Sequence, residues 1–190
     1  MKVFAIAGKA GAGKDALLKK FMSAHGCYKF HKIVSCTTRP KREHEVDGVD
    51  YNYLTTKEFD DAIENGEMIE WTSFRGWKYG TRIKDLDNSD GVINLGTFNP
   101  GGVKQLRNYA KNIIDVQVFL VAASDKNRLI RQLQREENPD VEEIIRRFKT
   151  DKEDFYNFEY DVILKNDTLQ EFDACVETIN HQGHWADAYN

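Results

Sequence analysis

Gly8-Lys9-Ala10-Gly11-Ala12-Gly13-Lys14-Asp15 follows directly on the apolar run Val3–Ala7. Glycines in such a turn let the backbone curl until several N–H groups point at one anion. The positive end of a following helix then reinforces them. Lys14 stands where an ammonium reaches the outer phosphates of a nucleotide. The chemistry this spacing supports is the holding and transfer of phosphoryl groups. One letter departs from the pattern: Asp15 occupies the place where Ser or Thr offers a hydroxyl to Mg²⁺.

A second constellation lies between Ser35 and Thr81. Ser35-Cys36-Thr37-Thr38-Arg39-Pro40-Lys41-Arg42 leads through Glu45-Val46-Asp47-Gly48-Val49-Asp50-Tyr51. Phe59, Gly66-Glu67-Met68-Ile69-Glu70-Trp71 and Tyr79-Gly80-Thr81 follow. In this order the segment resembles the guanylate kinase family, which moves a phosphoryl group from ATP to GMP, and the similarity runs from Val3 to about Asp167. The resemblance implies ATP binding by Gly8, Lys9, Ala10, Gly11, Ala12, Gly13, Lys14, Asp15 and Ala16, with Asn166 near the adenine. It gives the phosphate of GMP to Arg39, Arg42, Tyr51 and Tyr79, and the base to Ser35, Glu70 and Thr81. Guanidinium forks and phenols suit the oxygens of a near-dianionic phosphomonoester. A carboxylate covers the two adjacent donors of guanine while hydroxyls donate to O6. Adenine lacks that donor pair and leaves the carboxylate unpaired.

The resemblance also makes a lid of the charged helices after Ala123. Arg131 and Arg135, read as sharing one helix face, and Arg147 would close over the triphosphate; a one-residue insertion leaves Arg146 as the alternative to Arg147. The catalytic set is then Lys14, Arg39, Arg131, Arg135 and Arg147, stabilising charge on the transferring group. A solvated face, with the arginines paired to Glu136, Glu137, Glu142 and Glu143, is the other reading of the same spacing. Thr97 and Asn99 stand where the family has carboxylates, Asn99 on the guanine side. Acid has thus left the strand and entered the loop, so Asp15 is the expected metal residue, with Thr97 as its neutral neighbour. A hard cation accepts a carboxylate oxygen from either element.

These groups must be positioned by an α/β fold: a central parallel sheet between two helical layers, a small mixed acceptor lobe and a helical lid. The expected strands are Val3–Ala7, Lys32–Ser35, Gly91–Leu95, Asp115–Ala122 (the most buried) and Asp161–Leu164, with Met68–Thr72 and Trp77–Thr81 in the lobe. Helices are expected at Asp15–His25, at Thr56–Glu64 capped by Thr56, and after Pro100-Gly101-Gly102 to about Lys111. Others are expected near Asp125–Arg135, Val141–Tyr156 and Leu169–Ile179, ahead of a loose polar tail from His181. Residues 1–35, 89–125 and 150–190 form the core, 36–88 the GMP lobe and 126–149 the lid.

The 190 residues are 41% hydrophobic and 31% charged with a net charge of −4, which suits a soluble domain and argues against a nucleic-acid groove. No apolar run reaches membrane-span length. Cys27, Cys36 and Cys175 match no metal spacing and read as reduced thiols of a cytoplasmic protein. The expected partners are ATP with Mg²⁺ and either GMP or dGMP, with the oligomeric state open. Two alternatives stand: a kinase of another deoxynucleoside monophosphate, for which Asn99 speaks, and a non-catalytic guanylate-kinase-like binding module, against which Lys14, Arg39, Arg42 and Tyr51 speak. A GTPase is disfavoured because no Asn-Lys-x-Asp run occurs.

Overall fold

The computed structural model describes residues 1–25, 29–109, 113–135 and 137–185. Five parallel strands form the central sheet in the order β2-β7-β1-β8-β9. They are β1 (Lys2–Ala7), β2 (Phe30–Lys32), β7 (Ile93–Thr97), β8 (Asp115–Ala122) and β9 (Val162–Lys165). Strand β1 lies in the middle, and its pleat sends alternate residues to opposite layers. Phe4 and Ile6 join Leu17, Phe21, Phe119 and Ile179 on one side, against α1 (Lys14–His25) and α6 (Leu169–Trp185). Val3, Ala5 and Ala7 join Val103 and Leu106 of α3 (Pro100–Tyr109) on the other. Both faces being covered, β1 is the most buried strand; β8 alternates buried with half-buried positions and corrects the expectation that it would lead.

The second sheet is mixed, in the order β4-β3-β6-β5, from β3 (Cys36–Thr37), β4 (Asn52–Tyr53), β5 (Met68–Phe74) and β6 (Trp77–Arg82). Helix α2 (Thr56–Glu64) buries Phe59 and Ala62 against Cys36 and Met68. Thr55, not Thr56, caps it: Thr55 has the extended backbone a cap needs and forms a reciprocal capping box with Glu58. Gln105 of α3 holds this sheet to the core, exchanging hydrogen bonds with the N–H and C=O of Trp71 at 3.1 and 2.9 Å.

Helices α4 (Asp125–Leu133) and α5 (Val141–Asp154) follow β8 and are capped by Ser124 and Asp140. Several expected boundaries move. Strand β2 ends at Lys32, so Ser35 lies past it on the way into the second sheet; β7 begins at Ile93 and continues to Thr97. Helix α6 runs on to Trp185 because its last turns still pack: Gln182 bonds Gln117 at 2.9 Å and Gly183 is buried. Cys27, Glu136, the expected helix end at Lys111 and the last five residues of the polar tail lie outside the described residues. Cys36 and Cys175 are buried free thiols. No described helix is long and apolar enough to cross a membrane.

Phe4 is fully buried, with the Phe119 ring 4.9 Å away. Phe4→Ala is expected to cost about 3–5 kcal/mol, read as a lower urea midpoint at unchanged slope. Ile163 on the edge strand is 47% exposed, and Ile163→Ala should cost less than about 1 kcal/mol in the same titration.

Candidate active site

The glycine loop leaves the carboxyl end of β1 and enters α1. The Ala12 N–H donates to the Lys9 carbonyl at 3.1 Å, closing the turn. Lys14 Nζ reaches back to the carbonyls of Gly8 (2.6 Å) and Lys9 (3.4 Å), so its ammonium lies across the loop. Burial lowers its pKa, against the opposing pull of Asp15 and Asp151. An anion set in the loop would restore the stabilisation that burial removes.

Residues from the far end of the chain hold the loop. Asp151 of α5 accepts the Ala10 N–H at 2.9 Å, while Arg128 Nε of α4 donates to the Ala10 carbonyl at 2.9 Å. Arg128 and Asp151 are also bonded to each other, and Arg128 is 2% exposed, its guanidinium 4.4 Å from the Phe148 ring centre. The two successive peptide groups that flank Ala10 are therefore each held by one member of a buried ion pair. Asn166, just past β9, donates to the Ala12 carbonyl at 2.7 Å, and its own carbonyl accepts from Arg131 at 2.8 Å. Asn166 thus braces the loop where adenine contact was expected. Gly11 has φ +77° and a Cβ there would stand 2.5 Å from the Arg128 carbonyl oxygen. The sequence reading missed Arg128 and Asp151: one arginine among several on a charged helix carries no distinguishing signal.

The acceptor side is organised by Glu45, another residue given no role beforehand. Its carboxylate takes both arms of Arg39 at 2.7 and 3.0 Å, the Arg42 N–H at 2.8 Å and the Tyr53 hydroxyl at 2.7 Å. The Arg39 bond above all holds Glu45 down at about 2. The spacing Arg39-x5-Glu45 in a turn-rich polar run was the available signal. Glu45 and the Pro40 carbonyl occupy three of the five Arg39 N–H donors, leaving two for an anion. The Arg42 side chain is exposed. Tyr51 lies beside them, its ring 5.5 Å from the Arg39 guanidinium and 6.2 Å from the Tyr79 ring. Burial, and next the charge of Asp15, raise the Tyr51 phenol.

Deeper in that lobe Glu70 is 7% exposed and burial lifts its pKa to about 7, against the bond that Thr81 Oγ1 donates to it at 2.8 Å. Thr81 thus orients the carboxylate, and Ser35 is half-buried. A Cβ on Gly102 would stand 2.8 Å from Glu70 Oε2, so only glycine leaves that oxygen its place over the start of α3. Asn99 accepts the Gly102 N–H at 2.7 Å and caps α3 beside Glu70. Its capping bond uses its oxygen where the family has a carboxylate.

Arg131 reaches the loop, its NH1 3.4 Å from the carbonyls of both Gly11 and Ala12. Arg147 bonds Glu143 through Nε at 2.8 Å, and its charge is felt at Lys14. Arg146 pairs with Glu143 through Nε and NH2, at 2.7 and 3.0 Å. Arg135 does not share a helix face with Arg131: α4 stops at Leu133, and Arg135 is exposed beyond the C-cap Gln134. Asp15 is exposed in the first turn of α1, and no cluster of three or more metal-binding side chains occurs among the described residues. That set suits Mg²⁺, which takes one or two carboxylates and completes its octahedron with phosphate oxygens and water.

A phosphate loop on the central strand of a parallel sheet, facing an arginine- and tyrosine-lined lobe, defines the P-loop nucleoside monophosphate kinases. Within that class, the guanylate kinase family model matches residues 1–182. The chain is 34% identical over 172 residues to a guanylate kinase of Malacoplasma penetrans, covering 87% of this chain and 85% of the relative. It is 30% identical to that of Thermotoga maritima, with 90% and 81% covered. The crystal structure of guanylate kinase from Anaplasma phagocytophilum superposes with a TM-score of 0.69 at 20% identity, covering 97% of this chain and 85% of that one. The chain belongs to the guanylate kinase family, the ATP:GMP phosphotransferases.

The grip on the loop makes a direct demand on Gly11. Gly11→Ala places a methyl against the Arg128 carbonyl and forces a left-handed backbone, so the KM for ATP is expected to rise by about tenfold or more. The KM for GMP should stay near its wild-type value; initial rates with each nucleotide varied in turn measure both.

Proposed function

We propose that transfer of the ATP γ-phosphoryl group to GMP, or equally to dGMP, takes place in the cleft where Tyr51 stands between Arg39 and Asp15. The observation that supports this reading is that the Tyr51 ring lies 5.5 Å from the Arg39 guanidinium and 6.2 Å from the Tyr79 ring, with burial, and next the charge of Asp15, raising its phenol. Acceptor and donor anions would then share one space. The loop N–H groups and Lys14 hold the ATP phosphates, and Arg39, Arg42, Tyr51 and Tyr79 hold the GMP phosphate in line with them. Arg131 and Arg147 neutralise charge as the group moves; Arg135 would reach it only if the segment after α4 folded back over the cleft. No protein nucleophile is needed, because the acceptor oxygen is the nucleophile and catalysis is positioning and electrostatics. Mg²⁺, when bound, would offset the charge of the donor phosphates. Asp15 would hold it through one carboxylate oxygen, and Thr97 at the end of β7 would be its neutral neighbour. Glu70 selects guanine by accepting from N1–H and the 2-amino group, and a base without those donors leaves a buried carboxylate unpaired. Two buried free thiols suit a reducing cytoplasm.

Glu70 supplies a pH test. Guanine needs the ionised carboxylate, and burial holds the Glu70 pKa at about 7. The kcat/KM for GMP should therefore fall as pH drops from 8 to 6, because the protonated form must lose its proton to bind. Glu70→Gln should lower kcat/KM by about 100-fold or more. It should also remove that step while keeping the one near pH 6 that belongs to the phosphate of GMP. A Glu70→Gln profile identical in shape to the wild type would exclude Glu70 from base binding.

Asp15→Asn is expected to raise the Mg²⁺ concentration for half-maximal rate by about tenfold. An unchanged Mg²⁺ titration at saturating nucleotides would take Asp15 out of the metal's surroundings.

A further inference from the structure

The tip of the β5–β6 hairpin is Arg75-Gly76, with Phe74 paired to Trp77 across the turn. Both tip residues have positive φ, Arg75 at +52° and Gly76 at +79°. Two-residue hairpin turns of this kind favour Asn, Asp or Gly at the first place, since a larger side chain strains the left-handed backbone. Arg75 accepts that strain and reaches across to the lid. Its NH2 donates to Glu143 on the first turn of α5, and the Arg146 guanidinium lies 4.9 Å from the centre of the Phe74 ring. Two independent contacts, an ion pair and a cation–π contact, therefore join the acceptor lobe to the lid at one spot.

Glu143 is the centre of this junction. It is 8% exposed and receives Arg75, Arg146 and Arg147 together. Its two oxygens divide the work: Oε2 takes Arg75 and Arg146 Nε, while Oε1 takes Arg147 Nε and Arg146 NH2. Because Arg147 is held by Nε alone, both its terminal amino groups stay outside this bond. Arg147 lies one helical turn beyond Glu143, close enough for its charge to be felt at Lys14. Two turns beyond Glu143, about 12 Å along the axis, Asp151 grips the Ala10 N–H of the loop. Helix α5 is thus pinned at one end to the acceptor lobe and at the other to the donor loop.

We propose that Glu143 is a positioning residue which, through Arg75, couples closure of the acceptor lobe to the placement of Arg147 over the donor phosphates. This rests on the reading of Arg147 given above. An open acceptor lobe withdraws Arg75 and leaves Glu143 with an excess of one arginine fewer, so Arg147 is drawn back and the loop faces water. A closed lobe returns Arg75, shares the carboxylate among three cations and frees the Arg147 fork to meet the γ-phosphoryl group. Arg75 acts chiefly through Glu143, to which it donates directly, its other contact being the Phe74 ring 5.9 Å away.

The test is a double-mutant cycle of Arg75→Met and Glu143→Gln, read as kcat, as KM for each nucleotide and as melting temperature. Arg75→Met should lower kcat by about tenfold, with the KM for ATP and the melting temperature unchanged. Glu143→Gln should lower kcat at least as far, and the double variant should fall no further than Glu143→Gln alone. Arg75→Lys, which keeps the cation, should recover most of the rate and also guards against a misfolded Met variant. Wild-type kcat in Arg75→Met, or losses that multiply in the double variant, would overturn the proposal. Arg147→Met tests the underlying reading separately: undiminished kcat there removes Arg147 from the donor site whatever the cycle shows for Arg75 and Glu143.

Discussion

A backbone that cradles an anion must keep several N–H groups aimed at one point without giving them permanent partners, although such groups are costly to bury unsatisfied. The rest of the molecule answers to this constraint. Strand β1 is covered on both faces, which fixes the end from which the loop departs. Ala10 is held by Asp151 on its N–H and by Arg128 on its carbonyl, while Asn166 holds the Ala12 carbonyl. The buried Arg128–Asp151 pair is stabilising only because its donors and acceptors are matched; either partner alone would leave an uncompensated charge.

On the acceptor side the same logic works with charge. Glu45 holds Arg39 from behind, so the guanidinium is fixed in direction before any phosphate arrives and loses less freedom on binding it. Glu70 is held differently. It is buried with one hydroxyl donor beside the bare backbone of Gly102, and burial raises its pKa to about 7. A carboxylate kept so poorly solvated gains most from a ligand that brings two donors, which is how affinity becomes selectivity.

Much of this was legible in the residues. The loop, the Thr37-Thr38-Arg39 run with its downstream tyrosines, and the order of strands and helices were all readable, because each depends on local backbone chemistry or on period-2 and period-3.6 patterning. Boundaries were less so: β2 stops before Ser35 and α6 passes Ile179, since packing against Phe30 and Gln117 decides where those elements end. Partners were least legible. Arg128 and Asp151 are ordinary charged residues in a chain that is 31% charged, and nothing local marks them as buried or paired, whereas the pairing of Glu143 with Arg146 and Arg147 was open to reading from its helical spacing.

By itself the sequence determined the phosphate-binding loop, the class of sheet behind it and the types of residue available to an acceptor nucleotide. Glycine conformations, apolar alternation and the donor capacity of each side chain are properties a residue carries with it. Only the tertiary structure decided which charges meet. Ala10 and Asp151, 141 positions apart, are joined by one hydrogen bond, and a hairpin tip finds a lid helix 68 positions away. Electrostatic pairing depends on distance and burial, and these exist only once the chain has folded.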